Sequence, residues 1–210
     1  ARVTYVIIGT GLLWFGWFGF NAGSAFGANH LAVNALATST TASAAAGLTW
    51  IFFDMLRGKK PSAMGTCIGA VVGLVAITPA AGFVSIPHSL AIGIISAVVS
   101  NLVVEWRTRT SIDDTLDVFP CHGVGGMVGM LLTGVFAHQN VNAANVTGNG
   151  LFFGHTHLFF VQCIALVVAS VFSFFGSLLL LKITDMISPL RVSPEEETIG
   201  LDISQHGEKL

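Results

Sequence analysis

Charge is what this sequence has least of. Its 210 residues include 9 Lys and Arg and 11 Asp and Glu, only 10% of the chain, against roughly 25% in an ordinary soluble domain. With 53% hydrophobic residues and a mean hydropathy of +0.77, that scarcity excludes a disordered chain and a conventional soluble globule. A net charge of −2 excludes a nucleic-acid-binding surface and implies no polyionic partner. Cysteine is scarce too. Cys67, Cys121 and Cys163 sit in apolar surroundings at no metal-ligand spacing, so they read as small core hydrophobes rather than disulfide or zinc partners. There is no P-loop, no Gly-x-Ser-x-Gly, no His-Glu-x-x-His and no paired aspartates within an apolar run, so neither an enzyme nor a cofactor is expected. The sequence starts at Ala1, with neither Met nor the basic region and cleavage site of a signal peptide; a piece of something longer is expected.

The charges that exist are confined to a few places. No Asp, Glu, Lys or Arg occurs from Val3 to Phe53, from Pro61 to Val104, or from Val118 to Leu181. A membrane-spanning helix needs about 20 apolar residues, so each block has room for two spans and a turn. A polar or helix-breaking patch marks each turn: Asn21 to His30, Thr78 to His88, and the Asn- and Gly-rich stretch His138 to Gly150. The expected architecture is an all-α polytopic membrane protein with spans near 4–25, 31–56, 63–78, 88–106, 118–137 and 157–188. The third and fourth are short, so one of them could be re-entrant. Hairpins return both ends of a block to one side, which gathers Arg2, Arg57, Lys59, Lys60, Arg107, Arg109, Lys182, Arg191 and Lys209 on one face. By the positive-inside rule that face is cytoplasmic. Residues 1–189 thus form a transmembrane domain and 190–210, with Pro194-Glu195-Glu196-Glu197, a short cytoplasmic tail. Asn145-Val146-Thr147 fits a glycosylation sequon in an outer turn.

Helices in lipid are drawn together by close packing through small residues. The small-x-x-x-small spacing recurs at Gly19/Gly23, Gly69/Gly73 and Gly125/Gly129, and Ser39 to Ala46 is almost purely Ser, Thr and Ala. These read as packing faces, the alternative being close approach of a backbone to a substrate path. The last span is bulky with Phe, Leu and Val, as suits a lipid-facing or subunit-facing helix.

His122 is the chemical candidate. It follows Asp117 by five residues, about 7.5 Å along a helix, and so falls inside the fifth span among Val118, Phe119, Val124, Met127 and Val128. Ionisable groups within spans are costly, face the bundle interior and are functional candidates by default. A neutral imidazole offers one donor and one acceptor, enough to pass a proton or bind a small polar molecule; the alternative is a histidine satisfied by a neighbouring helix. His30, His88, His138, His155 and His157 lie in or beside outer turns and His206 in the tail, and the spacing of His155 and His157 does not put both on one helical face, so no metal site is expected. Asp117 opens the span as a carboxylate favoured by the helix dipole, or takes part in transport. Trp14, Phe15, Trp17, Phe18 and Phe20 form an interfacial belt, or else a face that attracts a cation.

Several motifs together resemble one family. Gly16-Trp17-Phe18-Gly19-Phe20-Asn21-Ala22-Gly23-Ser24, Ile77-Thr78-Pro79-Ala80, Asp117-Val118-Phe119-Pro120-Cys121-His122-Gly123-Val124-Gly125-Gly126 and Gly200-Leu201-Asp202-Ile203-Ser204-Gln205-His206-Gly207-Glu208 are similar, in order, to ammonium transporters of the Amt/Mep/Rh kind. The resemblance implies the second of two inverted repeats, spans six to ten, followed by a long eleventh helix. It implies His122 as one of two facing pore histidines, Phe20 as one of two stacked phenylalanines at the outer mouth, and Ser24 as the hydroxyl of an outer ammonium site. Trp17 is implied as a neighbouring pore aromatic, Leu13 and Val118 as apolar pore lining, and Asp117 and Thr78 as structural support. It further implies ammonium or ammonia as cargo, a homotrimer in the inner or plasma membrane, and a PII-type regulator on the cytoplasmic side. The partner histidine, the other phenylalanine and a recruitment tryptophan belong to the first half. Ammonium sensors with a downstream signalling domain share the fold and are the alternative; a degenerate half kept for assembly is the third reading.

Overall fold

The computed structural model describes residues 2–145 and 148–208, so Val146 and Thr147 of the sequon, and Lys209 of the basic set, lie outside the described residues. The described residues are helical, with no strand among them. Helices run α1 (Val3–Gly23), α2 (His30–Leu56), α3 (Ala63–Ile77), α4 (Ile86–Thr108), a π-helical turn (Phe119–Val124) continuing into α5 (Gly125–Phe136), α6 (His157–Ile187), α7 (Pro194–Ile199) and α8 (Leu201–His206). Two compact units divide the chain, Ala1–Leu166 and Val167–Leu210.

Four helical stretches are long and apolar enough to cross a membrane: Val3–Gly23, Ile86–Thr108, Phe119–Phe136 and His157–Ile187. The chain is therefore an integral, multi-helix membrane protein, but the expected count of six spans is not reached on these criteria. α3 has 15 residues, about 22 Å at 1.5 Å per residue, and stops where Thr78-Pro79 breaks the ladder. α2 has 27 residues and ample length, but its Ser and Thr residues and Asn34 lower its hydropathy. The fourth span, expected to be short, extends over 23 residues.

In the first unit, α2 is the central helix. One face, Ala35, Thr38, Ser39, Ala42, Ser43, Ala46 and Trp50, is buried. Its small side chains let backbones approach closely: a Cβ on Gly73 or Gly93 would lie 2.5 or 2.4 Å from the Ala42 carbonyl oxygen, and one on Gly129 only 2.2 Å from that of Ala76. Gly69 belongs to the same packing, but Gly19 and Gly23 do not, because a Cβ on either would meet nothing within 4 Å. The expectation of a packing pair on α1 is corrected: Gly19 and Gly23 meet no neighbour among the described residues.

Non-helical backbone at membrane depth needs internal partners. The turn after α3 finds them on α2, where the Asn34 carboxamide donates to the carbonyls of Ala81 (3.0 Å) and Val84 (3.2 Å) and the Thr38 hydroxyl to Ala81 (2.8 Å). At the charged end, Asn101 donates to Asp54 at 3.0 Å, and Glu105 pairs with Arg57, Arg109 and Lys59, tying α4 to the end of α2. At the other end His88, which its place beside an outer turn left without a role, stacks on Phe136 at 5.0 Å and meets Phe152 and Phe153 edge-on.

The second unit comprises the rest of α6 and the tail. From Val167 to Ile187 no side chain is buried, in keeping with a helix whose partners are lipid or other chains. In the tail Ser193 and Glu196 form a reciprocal capping box that starts α7. Gly200, at φ +104°, makes the left-handed joint into α8, and Gln205 donates back to Glu196 at 2.8 Å.

Candidate functional site

Position by position, α1 presents Val6, Thr10, Leu13, Trp17, Phe20 and Ser24, spaced alternately four and three residues apart, which is one stripe of a helix. Three cavities lie against this stripe. A cavity of about 230 Å³ is lined by Ser24, Asn21 and Phe20 together with Ala35, Thr78 and Asn142. One of about 310 Å³ is lined by Phe20, Trp17, Gly16, Leu13 and Leu12. A third, of about 230 Å³, takes Leu13, Thr10 and Val6 and adds Cys67, Ile68 and Val71 from α3, Leu116, Cys121 and His122. Phe20 is common to the first two and Leu13 to the last two, so the three cavities follow one another along the stripe from Ser24 to His122, a row called here the trough. No charged residue lines it.

The side chains at its upper end are held by specific bonds. The Trp17 indole donates to the Thr78 hydroxyl at 2.9 Å, and that hydroxyl donates to the Leu74 carbonyl at 2.8 Å. Trp17 is thus aimed by the residue that ends α3. Its ring meets Phe20 at 5.7 Å between centroids, tilted by 58°. Phe20 is itself 64% exposed. The Ser24 hydroxyl donates to the Phe20 carbonyl at 2.7 Å, which leaves its oxygen lone pairs to accept from a ligand. Below, Asn21 is buried and donates to Ser39 at 2.8 Å.

At the lower end the backbone is unusual. His122 lies in the π-helical turn, a local widening often found at functional sites. Pro120 has no N–H to give that turn. The first free amides, of Val118 and Phe119, are taken by the two oxygens of Asp114 at 2.9 Å each. So Asp114, and not Asp117, is the carboxylate on the amides that open the turn. Asp117 adopts φ +53°, a left-handed conformation that Asp tolerates better than most residues, and its carboxylate is held by the Arg107 guanidinium. Gly123 leaves room for the Phe119 ring, which would stand 3.1 Å from any Cβ there.

The expectation that His122 is enclosed by its own span's apolar residues is corrected. The ring is exposed on the open side of the trough, while the neighbouring Cys121 turns into the core. Leu13 lines the trough; Val118 is 51% exposed but lines none of the three cavities. Sequence reading missed Val6, Thr10 and Cys67. For Val6 and Thr10 the stripe spacing was the available signal, but α1 is apolar on every face, so hydropathy did not mark it; Cys67, on α3, carried no signal of its own.

The sequence and the fold have counterparts among known proteins. The Ammonium Transporter Family matches across residues 1–210. The chain is 42% identical over 206 residues to ammonium transporter Amt1 of Archaeoglobus fulgidus, covering 98% of this chain and 51% of that protein. Its fold is similar to the crystal structure of Saccharomyces cerevisiae Mep2, with a TM-score of 0.87 and 38% identity over 97% of this chain and 46% of that one. It is also similar to a structure described as a sensor Amt protein, with a TM-score of 0.84 and 30% identity over 98% of this chain and 49% of that one. The chain thus spans about half the length of the relatives it matches. With a match to the family along all of its residues, the chain belongs to the ammonium transporter family.

Proposed function

We propose that this chain is the second half of an ammonium transporter protomer and that its trough is one wall of the conducting pore. The observation that carries this reading is the uncharged path from the Ser24 hydroxyl, past Phe20, Trp17 and Leu13, to the His122 imidazole. In this reading α2 and α3 also cross the membrane, giving six spans that form the second inverted repeat and the long last helix. Residues 1–189 are then the transmembrane part and 190–210 a tail, with both ends of the segment cytoplasmic in an inner or plasma membrane. A first-half partner covers the open side of the trough, which is why Phe20 and His122 are uncovered here. A homotrimer and a PII-type regulator at the charged face complete the assembly.

The chemistry follows from charge. Bringing a hydrated ammonium ion into an uncharged, apolar bore costs several kcal/mol or more. Splitting it into ammonia and a proton removes most of that cost. The Ser24 oxygen accepts from ammonium at the mouth, with Trp17 and Phe20 offering ring faces to the cation. Ammonia then passes Leu13 and exchanges hydrogen bonds with His122, and imidazoles carry the proton. Potassium has no proton to lose, so the same step rejects it. Val118 is apolar lining, and Asp117 and Thr78 support the lower turn and Trp17.

The test is ammonium-driven current in proteoliposomes holding the full-length protein. His122→Ala should abolish most of that current or admit potassium; an undiminished, selective ammonium current in this variant sinks the reading. The likeness to a sensor protein of the same fold favours a second reading, an ammonium receptor, for which the unmodified protein binds ammonium but passes no current.

A further inference from the structure

Two cysteines and the pore histidine share one cavity, a combination that the transport reading does not use. The cavity of about 230 Å³ at the lower end of the trough is lined by Cys67 from α3 and by Cys121 and His122 from the π-helical turn. Cys121 is committed to packing: it is 5% exposed and belongs to the core cluster that Ile68 packs against. Cys67 is half-buried and carries a free thiol. Among the described residues, no three His, Cys, Asp or Glu side chains come together to hold a metal ion. Of the donors around this cavity, Cys67 and His122 are therefore the two that this chain offers a metal ion, fewer than a tetrahedral zinc-type site needs and enough for an ion satisfied by two ligands. Soft d10 monovalent cations take two ligands in line, and thiolate with imidazole suits them.

We propose that this cavity binds a soft monovalent metal cation of the silver or cuprous type, between the Cys67 sulfur and the His122 imidazole, and that the bound ion stops conduction. The blocking half rests on the reading of the trough as a pore wall. Such an ion carries the same charge as ammonium and enters by the same mouth. It cannot shed that charge as a proton; instead it displaces one. The Cys67 S–H bond breaks, a sulfur–metal bond forms and the proton leaves to water. The product is neutral, so the uncharged cavity retains it where it would reject a bare cation.

The experiment uses Ag+ on the full-length protein. Micromolar Ag+ should lower ammonium flux into proteoliposomes at least about 10-fold, with recovery on adding excess dithiothreitol. Cys163→Ala, on α6 and outside the cavity, should be blocked as the unmodified protein is. Cys67→Ser and Cys67→Val, each scaled to its own untreated flux, should resist. Native mass spectrometry should count one Ag+ per protomer held in the cavity and lost in both Cys67 variants, a readout that needs no transport. Full block and unchanged Ag+ stoichiometry in both variants overturn the site. If the untreated protein passes no ammonium but loses its Ag+ in the Cys67 variants, the site stands and the pore reading falls.

Discussion

α1 and α2 are neighbours in sequence and in space, yet they treat small and polar residues in opposite ways. On α2 they are buried: Thr38, Ser39, Ala42 and Ser43 have essentially no exposed surface. They receive Gly73 and Gly93 against the Ala42 carbonyl. On α1 only Asn21 is buried, and Gly9, Gly11, Gly16, Gly19 and Gly23 would each accept a Cβ without touching anything. The same residue types are therefore structural on one helix and free for another task on the next. Small-residue spacing alone does not separate the two; a neighbouring carbonyl within about 3 Å of the missing Cβ does.

The comparison breaks first at the close contacts. Gly93→Leu places a side chain where the Ala42 backbone already sits, and overpacking of this kind costs about 3 kcal/mol or more because backbone cannot yield as a side chain can. The full-length protein carrying it should fail to give a monodisperse peak on size-exclusion chromatography. A well-behaved, thermally unaltered variant would show that the α2–α4 contact is looser than described. Next in size are the bonds that α2 gives to the turn after α3. Asn34→Leu leaves the Val84 carbonyl without a partner, at about 1–3 kcal/mol, and should lower the detergent-solubilised melting temperature by several degrees.

On α1 the expected losses fall on flux instead. Thr78→Val keeps the shape but removes the acceptor of the Trp17 indole. An unsatisfied indole N–H costs about 1–3 kcal/mol; because Trp17 is half-buried at the trough, the ring is expected to swing rather than the fold to melt. Ammonium flux should drop several-fold with little change in melting temperature, and Thr78→Ser should restore it. A variant that loses stability but keeps its flux would make this bond a packing feature like those of α2.

How far this contrast was legible in sequence differs between its two halves. The three charge-free blocks, their polar breaks and the Gly69/Gly73 pair follow from hydropathy and spacing, because burial in lipid and close helix packing leave direct marks on composition. The stripe Val6, Thr10, Leu13, Trp17, Phe20 and Ser24 left no such mark, since both the trough face and the back of α1 are apolar. The π-helical turn was equally hidden: it depends on Asp114 taking two amides and on a left-handed Asp117, neither of which periodicity records. The exposure of His122 was hidden as well, because the apolar residues around it in sequence are not the ones that line its cavity.

The smallest effect belongs to the tail, where the contrast is between structure held by packing and structure held by charge. α7 has no buried residue, so its start relies on the Ser193 cap and on the Arg191–Glu197 pair. The hydrogen bond from Arg191, against desolvation and with help from the guanidinium charge, holds the Glu197 carboxyl below its ordinary value of 4.5. A carboxyl whose value is lowered on folding stabilises the folded form above its ordinary value and loses that contribution as pH falls through the lowered one. The amide signals of residues 194–199 should therefore be insensitive to pH near neutrality and lose dispersion only below pH 4.5. Arg191→Gln should move that loss upward, toward the ordinary carboxylate range. Exposed pairs contribute little, so the change should stay within the tail and leave ammonium flux alone. A flux that followed the Glu197 titration would instead tie the tail to the trough.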